Sequence, residues 1–281
     1  MNNYFMPLVK INTECSAGTG FFINNSGYII TSNNIIKNSL KIFVKVFNND
    51  QNYEAKIISI CPDRDIILLK IDNYYSQSYL LGDSDEIDFG SHVALLAYPN
   101  IFQPAVIHNV DRYFNINYSF DKNFGGPMIE LNSFRLVGII KQSFNKFTFV
   151  IPIIELISII TELFQQNIVM EPKIYVDFDN NNLSSNGYLI NKIYNLSPFH
   201  KAGIKKGDIL LKINECRVDN RGFCLIPRNN SDLHKKVHIY NFFHRLNLND
   251  NISIEYFSNF DNRKIKKKKI KLDCSELACK K

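Results

Sequence analysis

Short β-rich runs separated by turn-forming residues occupy the first half of this chain, and they constrain its fold more than any other feature. Runs rich in Ile, Val, Phe and Tyr recur from residue 8 to residue 151. Asn, Asp, Gly and Pro occupy the connections between them, as in residues 24–27 and 61–63. This spacing is typical of an all-β barrel or sandwich. Residues 153–165 then carry apolar side chains at helical intervals, which predicts a helix closing the domain.

Composition limits the class of protein. The chain has 281 residues, of which 45% are hydrophobic and 21% are charged, so it can bury enough apolar surface for about two globular domains. No apolar run approaches the roughly 20 residues that a membrane-spanning helix needs. The six cysteines include no Cys-x-x-Cys pair, which favours reduced structural thiols over a disulfide framework or a zinc site. We predict no metal site and no cofactor.

The compartment is predicted from the N-terminus. Residues 1–10 lack the basic start and apolar core of a secretory signal. They therefore predict a cytoplasmic protein. Abundant Asn, Ile, Lys and Phe and the absence of Trp are typical of an AT-rich genome, such as that of an intracellular parasite or a large DNA virus. For such a source, the predicted compartment is the host-cell cytoplasm.

The formal charge of +6 is concentrated near the C-terminus. Residues 263–269 contain Arg263, Lys264 and four consecutive lysines at positions 266–269. A run of this kind is typical of a solvated strand face or tail. The alternative that it leaves open is sequence-independent binding to phosphates or to an acidic surface.

Motifs in residues 16–71 indicate a particular β fold. Residues 16–23 read Ser-Ala-Gly-Thr-Gly-Phe-Phe-Ile, and residues 27–36 read Gly-Tyr-Ile-Ile-Thr-Ser-Asn-Asn-Ile-Ile. This order resembles the HtrA/DegP family of trypsin-like serine proteases, in which two such strands lead to the catalytic histidine. The resemblance places the histidine position at Asn34. Residues 63–71 resemble the strand that carries the triad aspartate, which is retained as Asp65.

Residues 121–130 resemble the nucleophile loop of the same family, which reads Gly-Asn-Ser-Gly-Gly-Pro. Asn123 and residues 125–127 keep this pattern, but Phe124 stands at the serine position and Lys122 at the leading glycine. Residues 135–140 and 149–152 resemble the two strands that follow. The resemblance implies a mainly β fold, the trypsin-like double β-barrel.

The chemistry of this fold requires a hydroxyl nucleophile, an imidazole base and a carboxylate that orients the imidazole. Phe124 has no nucleophilic atom, and Asn34 cannot act as a base near neutral pH. Loss of both groups lowers turnover by on the order of a millionfold. Lys122, which forms the oxyanion turn with Asn123, resists backbone angles that a glycine adopts. We therefore predict that no catalytic triad is intact.

Other side chains near these motifs have no spacing that identifies them as replacements. They are predicted to be turn hydroxyls, a buried thiol and ordinary histidines: Ser16, Ser119, Cys15, His92 and His108. Asp65 is predicted to be a structural carboxylate that accepts backbone amides or pairs with Asn34. Phe124 is predicted to fill the former pocket, and the alternative is that it lines an apolar peptide-binding cleft.

A second module follows. Residues 197–218 resemble the most diagnostic stretch of an HtrA-type PDZ domain, in which Ser-Pro starts a short helix and glycines supply turns. Only Glu215 replaces a turn glycine of that pattern. We predict a trypsin-like domain over residues 1–168, a linker over 169–173, a PDZ domain over 174–273 and a C-terminal tail over 274–281.

The resemblance also implies a peptide-binding groove. In PDZ domains, a peptide adds as a strand beside a helix, and a loop holds its terminal carboxylate. Residues 231–246 are predicted to be that helix, because their apolar side chains have helical spacing. The implied contacts are Ile174, Tyr175, Val176, Asp177, Phe178, Val237 and Tyr240. The charge of Asp177 would repel a carboxylate, and the alternative is a PDZ-shaped module that only packs on the barrel.

We predict a pseudoprotease, an inactive HtrA-like homologue that binds polypeptides as an adaptor, scaffold or chaperone-like factor. The resemblance implies a homotrimer assembled through N-terminal aromatics, here Tyr4 and Phe5, and no membrane partner. Two alternatives remain open: an active protease with a rebuilt site, and a structural or nucleic-acid-associated protein that uses residues 263–269. Nucleic acid is the less favoured partner.

Overall fold

The structure is a computed structural model, and it describes most of the chain in eight stretches. They are residues 3–37, 39–110, 112–120, 124–172, 174–179, 187–227, 234–259 and 264–273. The chain divides into two units, Met1–Val169 and Met170–Lys281. This division falls within the predicted linker at residues 169–173, and the predicted tail lies outside the described residues.

Seven strands of the first unit form one antiparallel sheet. They are β1 (Leu8–Thr13), β2 (Ala17–Phe22), β3 (Tyr28–Ser32), β4 (Ile42–Val46), β5 (Asn52–Glu54), β6 (Lys56–Cys61) and β7 (Ile66–Lys70). Their order is β5-β4-β1-β2-β3-β7-β6. The short helix α1 (Asn33–Ile36) follows β3, and the hydroxyl of Ser32 caps it by accepting a hydrogen bond from the amide of Asn34.

Six further strands of the first unit form a closed barrel. They are β8 (His92–Ala97), β9 (Ile101–Val110), β10 (Phe114–Ile116), β11 (Pro127–Glu130), β12 (Leu136–Phe144) and β13 (Phe147–Pro152). Their order around the barrel is β10-β13-β12-β11-β8-β9. The predicted closing helix is present as α2 (Ile153–Gln165). Its apolar face packs into one cluster with side chains of the seven-stranded sheet and of the barrel.

Two local differences from the predicted strands have simple causes. Residues 53–60 are one β-rich run in the sequence, but in the structure Ala55 separates them into β5 and β6. The hairpin of β9 and β10 was not predicted, because β9 contains Pro104 and is largely exposed, so it shows no apolar alternation. Among the described residues, no helix combines the length and the apolar character needed to span a bilayer.

The second unit is built mainly on one sheet. Its elements are β14 (Val176–Phe178), β15 (Tyr188–Ile193), α3 (Pro198–Lys201), β16 (Ile209–Ile213), β17 (Cys216–Arg217), β18 (Phe223–Pro227), β19 (His234–His238), α4 (Ile239–Phe243), β20 (Asn251–Ser258) and β21 (Lys264–Lys271). The sheet order is β14-β15-β16-β20-β21, with β17 paired to β16. Strands β18 and β19 form a separate hairpin.

The predicted helix over residues 231–246 is largely wrong. Residues 234–238 form strand β19, which pairs with β18 from Pro227↔His234 to Phe223↔His238. Only Ile239–Phe243 is helical, and residues 231–233 lie outside the described residues. Val237 is buried as a strand residue. A short apolar spacing of three and four fits a helix, but here the tertiary pairing of the hairpin decides the conformation.

Candidate active site

Asp65 lies between a 3-10 turn and β7, where it holds the start of α1. It is 4% exposed, and its backbone is left-handed with φ 57°. The hydroxyl of Ser32 donates a hydrogen bond to Oδ2 at 2.7 Å, and the backbone amide of Asn34 donates to Oδ1 at 2.9 Å. The carbonyl oxygen of Asp65 accepts from the amide of Asn33 at 3.1 Å. Both carboxylate oxygens therefore act as structural acceptors.

The surroundings of Asp65 act on its pKa in opposite directions. Burial has the largest effect and raises the pKa of the carboxyl group above its ordinary value. Hydrogen bonds from Ser32 and Asn34 and the positive charge of Lys141 lower it, but the pKa stays raised. The ammonium group of Lys141 also donates to the hydroxyl of Tyr113 at 2.9 Å and lies 4.6 Å from the centre of that ring.

Ser32, Lys141 and Tyr113 were not identified from the sequence. Lys141 is the first charged residue after the apolar start of β12, and that change in polarity is a signal that could have marked it. Ser32 lies in a buried strand, where its hydroxyl needs a partner. No local pattern marks that partner as Asp65, because the two residues are brought together only by the tertiary fold.

Phe124 lies in the first unit, where the seven-stranded sheet meets the barrel. Its half-buried ring packs on the apolar cluster of the first sheet, which includes Ile35. Its carbonyl oxygen accepts a hydrogen bond from the amide of Thr19 at 3.0 Å. Gly125 follows with φ +80°, and a β-carbon there would lie 2.2 Å from the hydroxyl oxygen of Thr31. The backbone at Gly125 therefore leaves no room for a side chain. Lys122 and Asn123 lie outside the described residues.

The other nucleophiles and bases named from the sequence are dispersed. The thiol of Cys15 is exposed, so the prediction that it is buried is wrong, because it lies in the turn between β1 and β2. Its neighbour Ser16 is also exposed. His92 and His108 are exposed, and His108 lies beside Phe147 with ring centres 5.6 Å apart. Among the described residues, no histidine donates to or accepts from Asp65.

The second unit contains the predicted peptide-binding residues around the edge strand β14. Phe178 of this strand meets Tyr240 of α4 edge to face, with ring centres 6.0 Å apart. Val176 and Phe178 are buried, whereas Asp177 is exposed and accepts a hydrogen bond from the hydroxyl of Tyr194 at 3.1 Å. The structure therefore places an edge strand beside a short helix.

The other residues predicted to contact a peptide lie outside β14 and α4. Ile174 and Tyr175 precede β14, and Tyr175 has a left-handed backbone with φ 48°. Val237 lies opposite Cys224 in the β18–β19 hairpin and not on α4, because the predicted helix is shorter than expected. Within the described stretches, no cluster of His, Cys, Asp or Glu side chains is arranged to hold a metal ion.

Comparison with known sequences identifies the type of the first unit. The profile of a trypsin-like peptidase domain matches residues 18–139. A probable periplasmic serine endoprotease, DegP-like, of Marinomonas sp. (strain MWYL1) is 28% identical over 236 residues, which cover 74% of this chain and 50% of that protein. A protein of the same description from Rickettsia prowazekii (strain Madrid E) is 27% identical over 247 residues, or 76% of this chain and 48% of that protein. The chain spans about half the length of the curated relatives it matches.

These relatives correct one prediction. They are described as periplasmic, so the prediction of a cytoplasmic protein, with the host-cell cytoplasm as its variant, is wrong. It depended on residues 1–10 and on the overall composition, and neither determines a compartment.

Solved structures confirm the mainly β, trypsin-like double β-barrel fold. The HtrA-type protease AlgW with a decapeptide superimposes with a TM-score of 0.68 at 15% identity, covering 96% of this chain and 95% of that one. The serine endoprotease from Yersinia pestis gives a TM-score of 0.65 at 18% identity, covering 96% and 94%. The chain therefore contains a trypsin-fold domain similar to those of HtrA/DegP-like serine proteases.

Proposed function

We propose that this chain is a catalytically inactive HtrA-like homologue that binds polypeptides as an adaptor, scaffold or chaperone-like factor. The observation that carries the proposal is the state of the two sites expected to hold the base and the nucleophile. The backbone amide of Asn34 donates a hydrogen bond to Asp65, and the ring of Phe124 packs against the apolar core. Neither side chain can transfer a proton to or from a hydroxyl nucleophile.

The hydroxyl nearest to the retained aspartate does not supply a substitute nucleophile. Ser32 is fully buried, and its oxygen both donates to Asp65 and accepts from the amide of Asn34. A nucleophile must reach the substrate and must have a neighbouring base. Ser32 does not meet the first requirement, because its burial excludes the substrate.

Polypeptide binding is supported by the second unit and by a relative. An edge strand can pair with an added extended peptide when a neighbouring helix supplies apolar contacts, and β14 with Tyr240 of α4 has this arrangement. We assign residues 174–273 to a PDZ-type module on this basis. The HtrA-type protease AlgW has been solved with a decapeptide, which agrees with peptide binding by a protein of this fold.

Binding of a fluorescently labelled unfolded polypeptide, followed by anisotropy, tests the proposal. Tyr240 is 38% exposed, so Tyr240→Ala should remove a peptide contact and weaken binding by on the order of tenfold. Tyr75→Ala is the matched control, since Tyr75 is 80% exposed in the first unit. Absence of binding to the unaltered chain, or equal loss in both variants, would contradict the proposal.

An active protease with a rebuilt site is the second candidate, because the curated relatives are described as serine endoproteases. A fluorophosphonate probe reacts with an activated serine hydroxyl, so intact-protein mass spectrometry separates the two candidates. A stoichiometric adduct would support the active protease. The inactive homologue predicts an unmodified mass.

Homotrimer formation also stays a prediction. In this structure, Tyr4 stacks on Phe134 of its own chain at 4.4 Å, and Phe5 lies 5.7 Å from Phe47. Light scattering should give about three times the chain mass of 32.6 kDa if the protein is a trimer of the kind that the HtrA resemblance implies. A mass of one chain would contradict it.

A further inference from the structure

Strand β21 forms one edge of the sheet in the second unit, and β14 forms the opposite edge. β21 is eight residues long and pairs with β20 without interruption, from Asn251↔Lys271 to Ser258↔Lys264. Within the described residues, no other strand pairs with its second side. A regular edge of this length can accept another strand through its backbone groups.

Lysine dominates this edge on both faces of the sheet. β21 reads Lys-Ile-Lys-Lys-Lys-Lys-Ile-Lys. Successive side chains of a strand point to opposite faces, so one face carries Lys267, Lys269 and Lys271. The other face carries Lys264, Lys266 and Lys268. A ligand that neutralises this edge must therefore present negative charge on both sides of the sheet.

The neighbouring strands neutralise only part of this charge. Glu255 of β20 lies opposite Lys267, and their charged atoms are 3.2 Å apart. The same carboxylate lies 3.9 Å from the ammonium group of Lys212. Lys269 and Lys271 lie opposite Ser253 and Asn251, which are uncharged. The C-terminal half of the edge therefore retains a positive charge toward solvent.

We propose that β21 is a docking edge for an acidic, extended polypeptide segment, which adds to the sheet as a further strand. Lysines on an edge discourage neutral and basic strands from pairing. A strand with adjacent acidic residues would place carboxylates beside lysines on both faces, and such cross-strand pairs stabilise a sheet. The inference rests on the proposed polypeptide-binding function and adds to it the charge of the ligand and a second binding edge.

An acidic strand fits this edge better than a single-stranded nucleic acid. Proteins that bind single strands combine cations along one groove with aromatic side chains that stack on the bases. The eight residues of β21 include no aromatic residue, and their lysines are divided between the two faces. Backbone pairing needs neither bases nor aromatic rings, and it uses both faces.

Anisotropy of a fluorescent, acetylated peptide of repeating Glu-Glu-Thr-Thr, which presents carboxylates on both faces when extended, tests the proposal on the full chain. The variant K267Q/K269Q/K271Q should bind the peptide on the order of tenfold more weakly at low salt. The variant K192Q/K205Q/K206Q removes the same amount of charge from exposed lysines of the second unit outside β21, and it should bind as the unaltered chain does. Equal losses in the two variants would overturn the proposal.

Two further probes separate strand addition from plain charge attraction. An equally charged peptide in which every backbone amide is N-methylated cannot donate backbone hydrogen bonds, so it should lose most of the binding, and equal binding would overturn strand addition. A single-stranded oligonucleotide that binds more tightly than the acidic peptide would also overturn it. If the acidic peptide fails while Tyr240-dependent binding of unfolded polypeptide persists, only the β21 proposal is overturned.

Discussion

At the scale of single residues, Asp65, which the HtrA resemblance assigns to the triad aspartate, has a structural role. Its carboxylate holds the amide of Asn34 and the hydroxyl of Ser32. These contacts fix the entry to α1 whether or not a histidine is present. This buried position needs two acceptor oxygens, and an aspartate supplies them. The residue type therefore has a structural reason that does not involve catalysis.

Removal of this carboxylate should destabilise the first unit. Asp65→Ala leaves the amide of Asn34 and the hydroxyl of Ser32 without their strongest acceptors. We expect the free energy of unfolding in urea to fall by about 1–3 kcal/mol. Asp65→Asn is the matched control, since it keeps one acceptor oxygen and should cost less. Equal stability of Asp65→Ala and the unaltered chain would contradict the structural role.

The raised pKa of Asp65 gives a prediction for pH. Burial lifts this pKa above its ordinary value of 3.8, so the folded chain holds the proton more firmly than the unfolded chain does. The contribution of Asp65 to stability should therefore fall as pH rises from about 3.8 through the raised value. Asp65→Asn lacks this titration. Its stability relative to the unaltered chain should improve across that window, and parallel pH curves would contradict the shift.

At the scale of elements, α2 and the hairpin of β18 and β19 mark what the sequence can and cannot predict. The helix at residues 153–165 was predicted with its observed bounds, because its apolar spacing persists over several turns. The strands of the first sheet were predicted from β-rich runs separated by turn residues. The hairpin was missed, because residues 234–238 pair with a strand whose position no local pattern reveals.

The buried face of α2 should contribute measurably to stability. Leu163 is fully buried in the cluster that α2 shares with the seven-stranded sheet and the barrel. Leu163→Ala should lower the free energy of unfolding by about 2–5 kcal/mol, because it removes apolar contacts and leaves a cavity. Ile157 is 37% exposed on the same helix, so Ile157→Ala should cost distinctly less. Similar losses at both positions would show that α2 does not pack as the structure has it.

At the scale of the whole molecule, the order of several motifs predicted the fold of the first unit, although no single motif was decisive. Those motifs also assign the triad positions to Asn34, Asp65 and Phe124, and that assignment stays a prediction. The contacts of Ser32 and Lys141 were not predictable, since they depend on how distant strands approach each other. The prediction of the compartment was wrong. It was corrected by the descriptions of related proteins, which the composition of the N-terminus does not reveal.

We propose that a trypsin-type fold persists here after the loss of its nucleophile and its base. Casein cleavage by the purified full chain tests it most directly, with Asp65→Ala as the matched variant. We expect no cleavage above the buffer control for either protein, because Phe124 and Asn34 cannot perform acyl transfer. Cleavage by the unaltered chain that disappears in Asp65→Ala would contradict the account.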